Sequence, residues 1–103
     1  MKKKIAILGS TGSIGKTTFD IIKKNKKDFE IILLTTNKNI NRILEQAKLL
    51  KVKNILISSE PHYLKLKKRL KNSNIKIHNN LREFFSFLLL HGKEKHTPTF
   101  LLH

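Results

Sequence analysis

The sequence predicts a single α/β domain, in which a parallel β-sheet carries α-helices on both faces. Four short apolar runs alternate along the chain with four stretches whose apolar residues recur at helical spacing. Such alternation is typical of a parallel sheet with crossover helices. The first apolar run is followed at once by a glycine-rich turn, which is where α/β proteins commonly bind phosphate groups. A chain of 103 residues allows one domain.

The first half of the chain predicts two strands and two helices. The continuously apolar run 5–8 indicates a buried strand, and a helix is expected over residues 13–25. The run "FEIILL", residues 29–34, indicates the second strand. Asn39 is expected to cap a second helix, whose apolar stripe continues to residue 50.

The second half repeats this order. The run "NILIS", residues 54–58, predicts a third strand, and Ser59-Glu60-Pro61 is typical of a helix start. That helix is expected to continue to Leu70. The run "IKIH", residues 75–78, predicts a short fourth strand, and an apolar helix is expected over residues 81–90. The remaining residues fit no element of the pattern.

Composition limits the functions that are plausible. The net charge is +15, yet only three of the 22 basic residues are arginine, and lysines occur in every segment without an aromatic patch. We interpret this as a compositional drift with non-specific polyanion attraction, and we expect no specific nucleic-acid partner. The lack of cysteine excludes thiolate metal sites, and no apolar run is long enough to span a membrane. A cytoplasmic location is the default expectation. The histidines near the end, His91, His96 and His103, are interpreted as solvated.

The turn "ILGSTGSIGKTT", residues 7–18, first has to be compared with a mononucleotide loop. That loop requires Gly-x4-Gly-Lys-Ser/Thr. Gly15-Lys16-Thr17 supplies the end of the pattern, but Ser10 stands where its first glycine is required. The aspartate that usually ends a later strand and holds magnesium is also missing from the second and third predicted strands. A triphosphate loop therefore matches incompletely in two places.

A dinucleotide loop fits the same turn better. Gly9, Gly12 and Gly15 are spaced Gly-x2-Gly-x2-Gly between a strand and a helix. The first glycine would make the tight turn, the second would allow a pyrophosphate to approach, and the third would let the helix pack on the strand. Hydroxyl donors could be added by Ser10, Thr11 and Ser13. A glycine turn that binds nothing is the structural alternative.

The end of the second strand bears on the choice of cofactor. A site for NAD usually places an acidic residue there, whereas this chain reads Thr35-Thr-Asn-Lys-Asn39. A lysine at this point suits the 2′-phosphate of NADP. Because lysine is abundant throughout the chain, the residues alone favour NADP and leave NAD open.

Three segments carry a resemblance to a known family: "IAILGSTGSIGKTTFDII", "NKKDFEIILLTTNKNI" and "ILEQAKLLKVKNILIS". From about Lys3 to Asn80 the chain resembles the start of 1-deoxy-D-xylulose 5-phosphate reductoisomerases. That family makes 2-C-methyl-D-erythritol 4-phosphate in non-mevalonate isoprenoid biosynthesis, using NADPH and a divalent metal, magnesium or manganese. The resemblance implies a Rossmann-like NADPH-binding domain over residues 1–80, which is incomplete, followed by an apolar helix and an atypical tail over residues 81–103.

The resemblance also implies which residues bind the cofactor. Contacts to NADPH are expected from two turns, at Thr11, Gly12, Ser13, Ile14, Lys38 and Asn39. The family usually has glycine at the position of Asn37. Because asparagine tolerates left-handed backbone angles, we expect the turn to be kept.

The family's metal ligands and substrate-binding residues have no counterpart in this sequence. In the family, the carboxylate metal ligands and the side chains that hold the sugar phosphate lie beyond the nucleotide domain, and residues 81–103 do not match it. We therefore expect a fragment with no catalytic residue and no metal ligand, inactive alone; the sugar-phosphate substrate and the homodimer belong to the full-length enzyme. The alternatives are a non-catalytic α/β remnant or a small nucleotide-binding module, and more distantly a P-loop hydrolase.

Overall fold

The structure, a computed structural model, describes residues 2–91 and 99–102. Strands and helices alternate along the described chain, as the sequence predicts. In chain order the elements are β1 (Lys3–Leu8), α1 (Ser13–Lys24), β2 (Phe29–Thr36), α2 (Ile40–Leu50), β3 (Asn54–Ile57), α3 (Glu60–Arg69), β4 (Lys76–His78), α4 (Leu81–His91) and β5 (Thr99–Leu102).

The strands form one parallel sheet in the order β4-β3-β2-β1-β5. The chain moves in one direction from β1 to β4, and β5 lies on the opposite side of β1. The order therefore reverses between β1 and β5. In open α/β sheets, ligands bind at the carboxyl ends of the strands beside such a reversal. The glycine turn follows β1 and lies at this position.

The two faces of the sheet are covered unequally. Helices α1, α2 and α3 pack on one face through Phe19, Ile43 and Leu66, which lie in one cluster with the buried residues of the strands. Helix α4 packs on the other face, where Phe84 is fully buried in a smaller cluster with Ala6, Leu33 and Leu56. The predicted fold class, a Rossmann-like parallel sheet with helices on both faces, is confirmed.

The eight predicted elements are all present, with ends that differ by at most two residues. The structure adds a fifth strand, because Thr99–Leu102 pairs in parallel with β1, from Ile5 beside Thr99 to Leu8 beside Leu102. The expectation that no element follows α4 is wrong at this point. The segment does not continue the alternation of strands and helices along the sequence, and its partner is far away in the sequence.

Residues 92–98 and 103 lie outside the described residues, so the interpretation of His96 and His103 is not tested. The division of the chain at residue 80 also stays a prediction. In the described part of the chain, no helix has both the length and the apolar character needed to cross a membrane.

Candidate nucleotide-binding site

Two glycines of the turn after β1 are required by the fold itself. Gly9 has a φ of 74°, in the left-handed region that favours glycine. Gly15 lies buried in the first turn of α1, and a Cβ atom there would stand 2.0 Å from the carbonyl oxygen of Gly9. The tight turn and the close helix packing predicted for these two positions are therefore present.

Gly12 is different, because nothing in the described part of the chain requires a glycine there. Its φ of −74° and ψ of 170° are extended angles open to any residue. A Cβ atom would meet only the carbonyl oxygen of Gly9, at 3.6 Å, which is an ordinary contact. The residue is exposed. The remaining physical reason for glycine is the approach of something from outside the chain.

The first N–H groups of α1 are open beside Gly12. Gly12 is the N-cap residue, and no side chain caps the helix. The first helical hydrogen bond is donated by Lys16 N–H to the Gly12 oxygen, at 2.8 Å. The N–H groups of Ser13, Ile14 and Gly15 therefore have no intrahelical acceptor. With no acidic residue in the first turn, these donors and the helix dipole favour a bound anion.

The glycine turn is fastened to α2 by a buried pair of hydrogen bonds. Ser10 is fully buried, and its hydroxyl donates to Gln46 Oε1 at 2.8 Å. Gln46 Nε2 donates in return to the Ser10 carbonyl oxygen at 2.9 Å. The expectation that Ser10 offers a hydroxyl donor to a ligand is therefore wrong, because the hydroxyl faces α2. The sequence did not single out Gln46, although its place three residues after Ile43 puts it on the buried side of the helix.

The end of β2 holds the other side of the turn. Gly9 N–H donates to Thr35 Oγ1 at 2.8 Å, and Ser10 N–H donates to the Thr35 carbonyl oxygen at 2.9 Å. The hydroxyls of Thr11 and Thr36 lie 2.7 Å apart in a hydrogen bond. The turn is thus shaped by the protein alone, and it is fixed to the strand that leads to Lys38.

The turn between β2 and α2 is exposed. Lys38 and Asn39 are both open to solvent. Asn39 Oδ1 accepts a hydrogen bond from Arg42 N–H at 3.2 Å, which confirms the predicted cap of α2. Because Thr36 contacts Thr11, the structure brings the two predicted groups of site residues to the same edge of the sheet.

Asn37 keeps the turn without a left-handed backbone angle. Among residues 2–91 and 99–102, Lys51 is the one non-glycine residue with a positive φ. The tolerance of asparagine for left-handed angles is therefore not used at this position. Its Oδ1 accepts a hydrogen bond from Ser58 Oγ at 2.9 Å, which ties the turn to the end of β3 instead.

The described residues contain no group of three or more histidine, cysteine or acidic side chains that could hold a metal ion. What the edge of the sheet offers is a preformed turn, open backbone donors and exposed cationic side chains. These features are suited to a phosphorylated ligand rather than to acid–base or metal chemistry.

Known proteins share this arrangement. A family model for 1-deoxy-D-xylulose 5-phosphate reductoisomerase matches residues 5–86. The reductoisomerase of Pelagibacter ubique is 49% identical over 78 residues, which are 76% of this chain and 20% of the relative. A structure of the enzyme from Zymomonas mobilis in complex with NADPH superposes with a TM-score of 0.69 at 32% identity, covering 76% of this chain and 21% of that one. A reductoisomerase complex with NADPH, fosmidomycin and magnesium gives a TM-score of 0.67 at 28% identity, covering 74% of this chain and 19% of that one.

This chain spans about a fifth of the length of the curated relatives that it matches. The match includes both turns at the carboxyl edge of the sheet and the first four strands, apart from the first two residues of β1. The chain belongs to the 1-deoxy-D-xylulose 5-phosphate reductoisomerase family.

Proposed function

We propose that this chain is the NADPH-binding part of a 1-deoxy-D-xylulose 5-phosphate reductoisomerase, which converts 1-deoxy-D-xylulose 5-phosphate to 2-C-methyl-D-erythritol 4-phosphate. The observation that carries the proposal is Gly12. Gly9 and Gly15 are explained by backbone angle and packing, whereas Gly12 is explained by neither. It stands beside open N–H groups at a helix start, where the pyrophosphate of a dinucleotide fits.

Each predicted site residue has a role in this proposal. The N–H groups of Ser13 and Ile14 would donate to the pyrophosphate, and Thr11 would add its hydroxyl. Lys38 would face the 2′-phosphate as an exposed cation. Asn39 already accepts a hydrogen bond from Arg42 with its side-chain oxygen, so its amide nitrogen is the group left for the cofactor.

The cofactor would supply the hydride when bound, and the chain's own residues would bind and orient it. The divalent metal that the family implies finds no ligand set among the described residues. We therefore assign no step of the reaction to a metal held here, and no residue of this chain a catalytic role. The cytoplasmic location and the homodimeric full-length enzyme stay predictions.

A valine at Gly12 tests the proposal directly. Gly12→Val would place a branched side chain where the pyrophosphate approaches, so NADPH binding should be lost while the fold is kept. NADPH titration followed by calorimetry, with circular dichroism as the check on folding, measures both. Lys16→Ala is the matched control, because a dinucleotide loop does not depend on this lysine whereas a triphosphate loop does.

Three outcomes would contradict the proposal. Unchanged NADPH affinity in a folded Gly12→Val variant would remove the role of the turn. ATP binding that disappears in Lys16→Ala would identify a mononucleotide site instead. A folded wild-type chain that binds no NADPH would favour the non-catalytic remnant.

Cofactor choice is tested at Lys38. A charge-assisted contact to the 2′-phosphate contributes on the order of 1.5–3 kcal/mol. The wild-type chain should therefore prefer NADPH to NADH by at least about tenfold, and Lys38→Glu should erase the preference. Equal affinity of the wild type for NADPH and NADH would contradict the assigned contact between Lys38 and the 2′-phosphate.

The chain alone is expected to have no reductoisomerase activity. NADPH oxidation in the presence of 1-deoxy-D-xylulose 5-phosphate and magnesium or manganese should stay at the level of a control without protein. Turnover that survives further purification would show that this chain supplies catalytic groups that we have not assigned.

A further inference from the structure

A groove of about 230 Å³ lies between the start of α2 and the length of α3. The fully buried Leu66 lines it from α3 and the half-buried Ile40 from α2. Its ionisable lining residues are Lys38, His62, Lys65 and Arg69, and no acidic side chain lines it. The groove is therefore positively charged and begins at the turn that carries Lys38.

The basic residues on α3 are placed there by the packing of the helix. His62, Lys65 and Arg69 are spaced three and four residues apart, so they lie along one side of an α-helix. Leu66 lies next to this row and is fully buried in the main core, which fixes the rotation of the helix about its axis. The row consequently lines the groove beside α2.

The ring of His62 is held in place at the mouth of the groove. His62 Nδ1 lies 2.7 Å from Ser59 Oγ in a hydrogen bond. Nε2 is then the remaining polar atom of the ring. Ser59 is the N-cap residue of α3, so this contact ties the ring to the carboxyl edge of the sheet.

We propose that α3 forms the second wall of the 2′-phosphate subsite, with Lys65 sharing the phosphate with Lys38. The inference rests on the proposed binding of NADPH and adds a residue from a separate helix to its specificity. A 2′-phosphate carries up to two negative charges, which one exposed lysine neutralises only in part. Lys65 supplies the second charge from the facing wall, and Arg69 adds a weaker, more distant contribution from the last turn of α3.

The abundance of lysine makes a control position essential. Lys68 lies on the same helix and is also exposed, but it does not line the groove. A general effect of positive charge would be equal for Lys65 and Lys68. A specific subsite would depend on Lys65 and not on Lys68.

The experiment titrates the full 103-residue chain with 2′,5′-ADP and with 5′-AMP. These probes differ at the 2′-phosphate. Lys65→Glu should weaken binding of 2′,5′-ADP by about tenfold and leave 5′-AMP unchanged. Lys65→Gln should give a smaller loss of the same kind, Arg69→Glu a smaller one still, and Lys68→Glu should match the wild type.

The inference is overturned if Lys65→Glu binds 2′,5′-ADP as the wild type does, or if Lys68→Glu loses as much affinity. A parallel titration with NADPH and NADH separates the two proposals. If the wild type prefers NADPH and Lys65→Glu keeps that preference, the role of α3 is wrong and the proposed function stands. If the wild type binds neither cofactor, both are wrong.

Discussion

The helices α1 and α4 both begin at the carboxyl edge of the sheet, but only α4 has a side chain that accepts a hydrogen bond from one of its first N–H groups. At the start of α4, Asn80 Oδ1 accepts from Glu83 N–H at 2.8 Å, and Glu83 Oε1 accepts from Asn79 N–H at 3.3 Å. This is close to the reciprocal arrangement of a capping box. The start of α1 has no side-chain cap and no acidic residue in its first turn.

The start of α4 is capped by side chains of the chain itself, whereas the start of α1 keeps the donors to which we propose that the cofactor binds. At the start of α4, the side chain of Asn80 satisfies one helix donor, the N–H group of Glu83, and Glu83 adds a favourable negative charge there. At the start of α1, the chain fastens the preceding turn through Ser10 and Thr35 and leaves the donors themselves unused. The polar side chains in this region hold the glycine turn in shape, and none of them caps α1.

A substitution that disrupts the packing of α1 against the glycine turn should cause the largest loss of stability. Gly15→Ala would put a Cβ atom 2.0 Å from the backbone oxygen of Gly9. Because the backbone must move, we expect unfolding to be easier by about 3 kcal/mol. Urea denaturation measures this. Gly12→Ala is the matched control and should cost less than about 1 kcal/mol; equal losses at the two glycines would contradict the comparison.

The next largest effect is expected at Gln46. Gln46→Leu keeps the size of the side chain but removes both of its hydrogen bonds to Ser10, leaving a buried carbonyl oxygen unpaired. The expected loss of stability is about 1–3 kcal/mol, accompanied by weaker NADPH binding as the turn loosens. Glu45→Leu, at the exposed neighbouring position, should change neither quantity appreciably. A stable Gln46→Leu variant with full affinity would show that the turn does not need α2.

Removing the cap of α4 should cost less and should spare the ligand site. Asn80→Ala deletes the acceptor for Glu83 N–H, which is worth about 1 kcal/mol. NADPH affinity should stay at the wild-type value, since this helix start is separate from the turn after β1. Asn80→Asp retains an acceptor and serves as the control. A fall in NADPH affinity in Asn80→Ala but not in Asn80→Asp would contradict this expectation, because it would mean that the two helix starts are coupled.

The smallest expected effect is a loss of fold stability at low pH, caused by His78 in β4. His78 is buried, its Nε2 lies 3.0 Å from Asn54 Oδ1, and its ring meets that of Phe84 edge-on at 5.4 Å. Burial lowers the pKa of His78 below its ordinary value of 6.5. The neutral ring therefore stabilises the fold fully above that value, and the stabilisation is lost as the pH falls through the lowered pKa.

Denaturation curves recorded between about pH 7 and pH 5 should show this loss for the wild type. His78→Gln should show a smaller loss over the same range, because the titrating ring is gone. Parallel pH profiles for the two proteins would exclude His78 as the source.

Most of the fold could be predicted because the first three strands each contain a continuous apolar run and the helices carry regular apolar stripes. The roles of Gly9 and Gly15 could also be predicted, because a tight turn and a closely packed helix each require a glycine. The role of Gly12 stays a prediction. Gln46 was missed because a polar residue within an apolar stripe reveals its partner only after α2 and the turn have come together.

The remaining differences have a similar cause. The side chain of Asn37 is hydrogen-bonded to Ser58, which is distant in sequence and becomes a neighbour only in the sheet. The fifth strand depends on β1 in the same way. Local sequence patterns predict helices, strands and caps, whereas contacts between distant segments depend on how the chain folds as a whole.

The pairing of β1 with β5 also affects how the molecule is assembled. Ile5 lies beside Thr99 and Leu8 beside Leu102, so nearly the whole described chain separates the two partners. Contacts between such distant segments form slowly, because the entropy of closing the intervening chain is lost first. Until then one side of β1 exposes unpaired backbone groups that another chain can use as a template. The strand that carries the glycine turn is thus open to intermolecular pairing until β5 has paired with it.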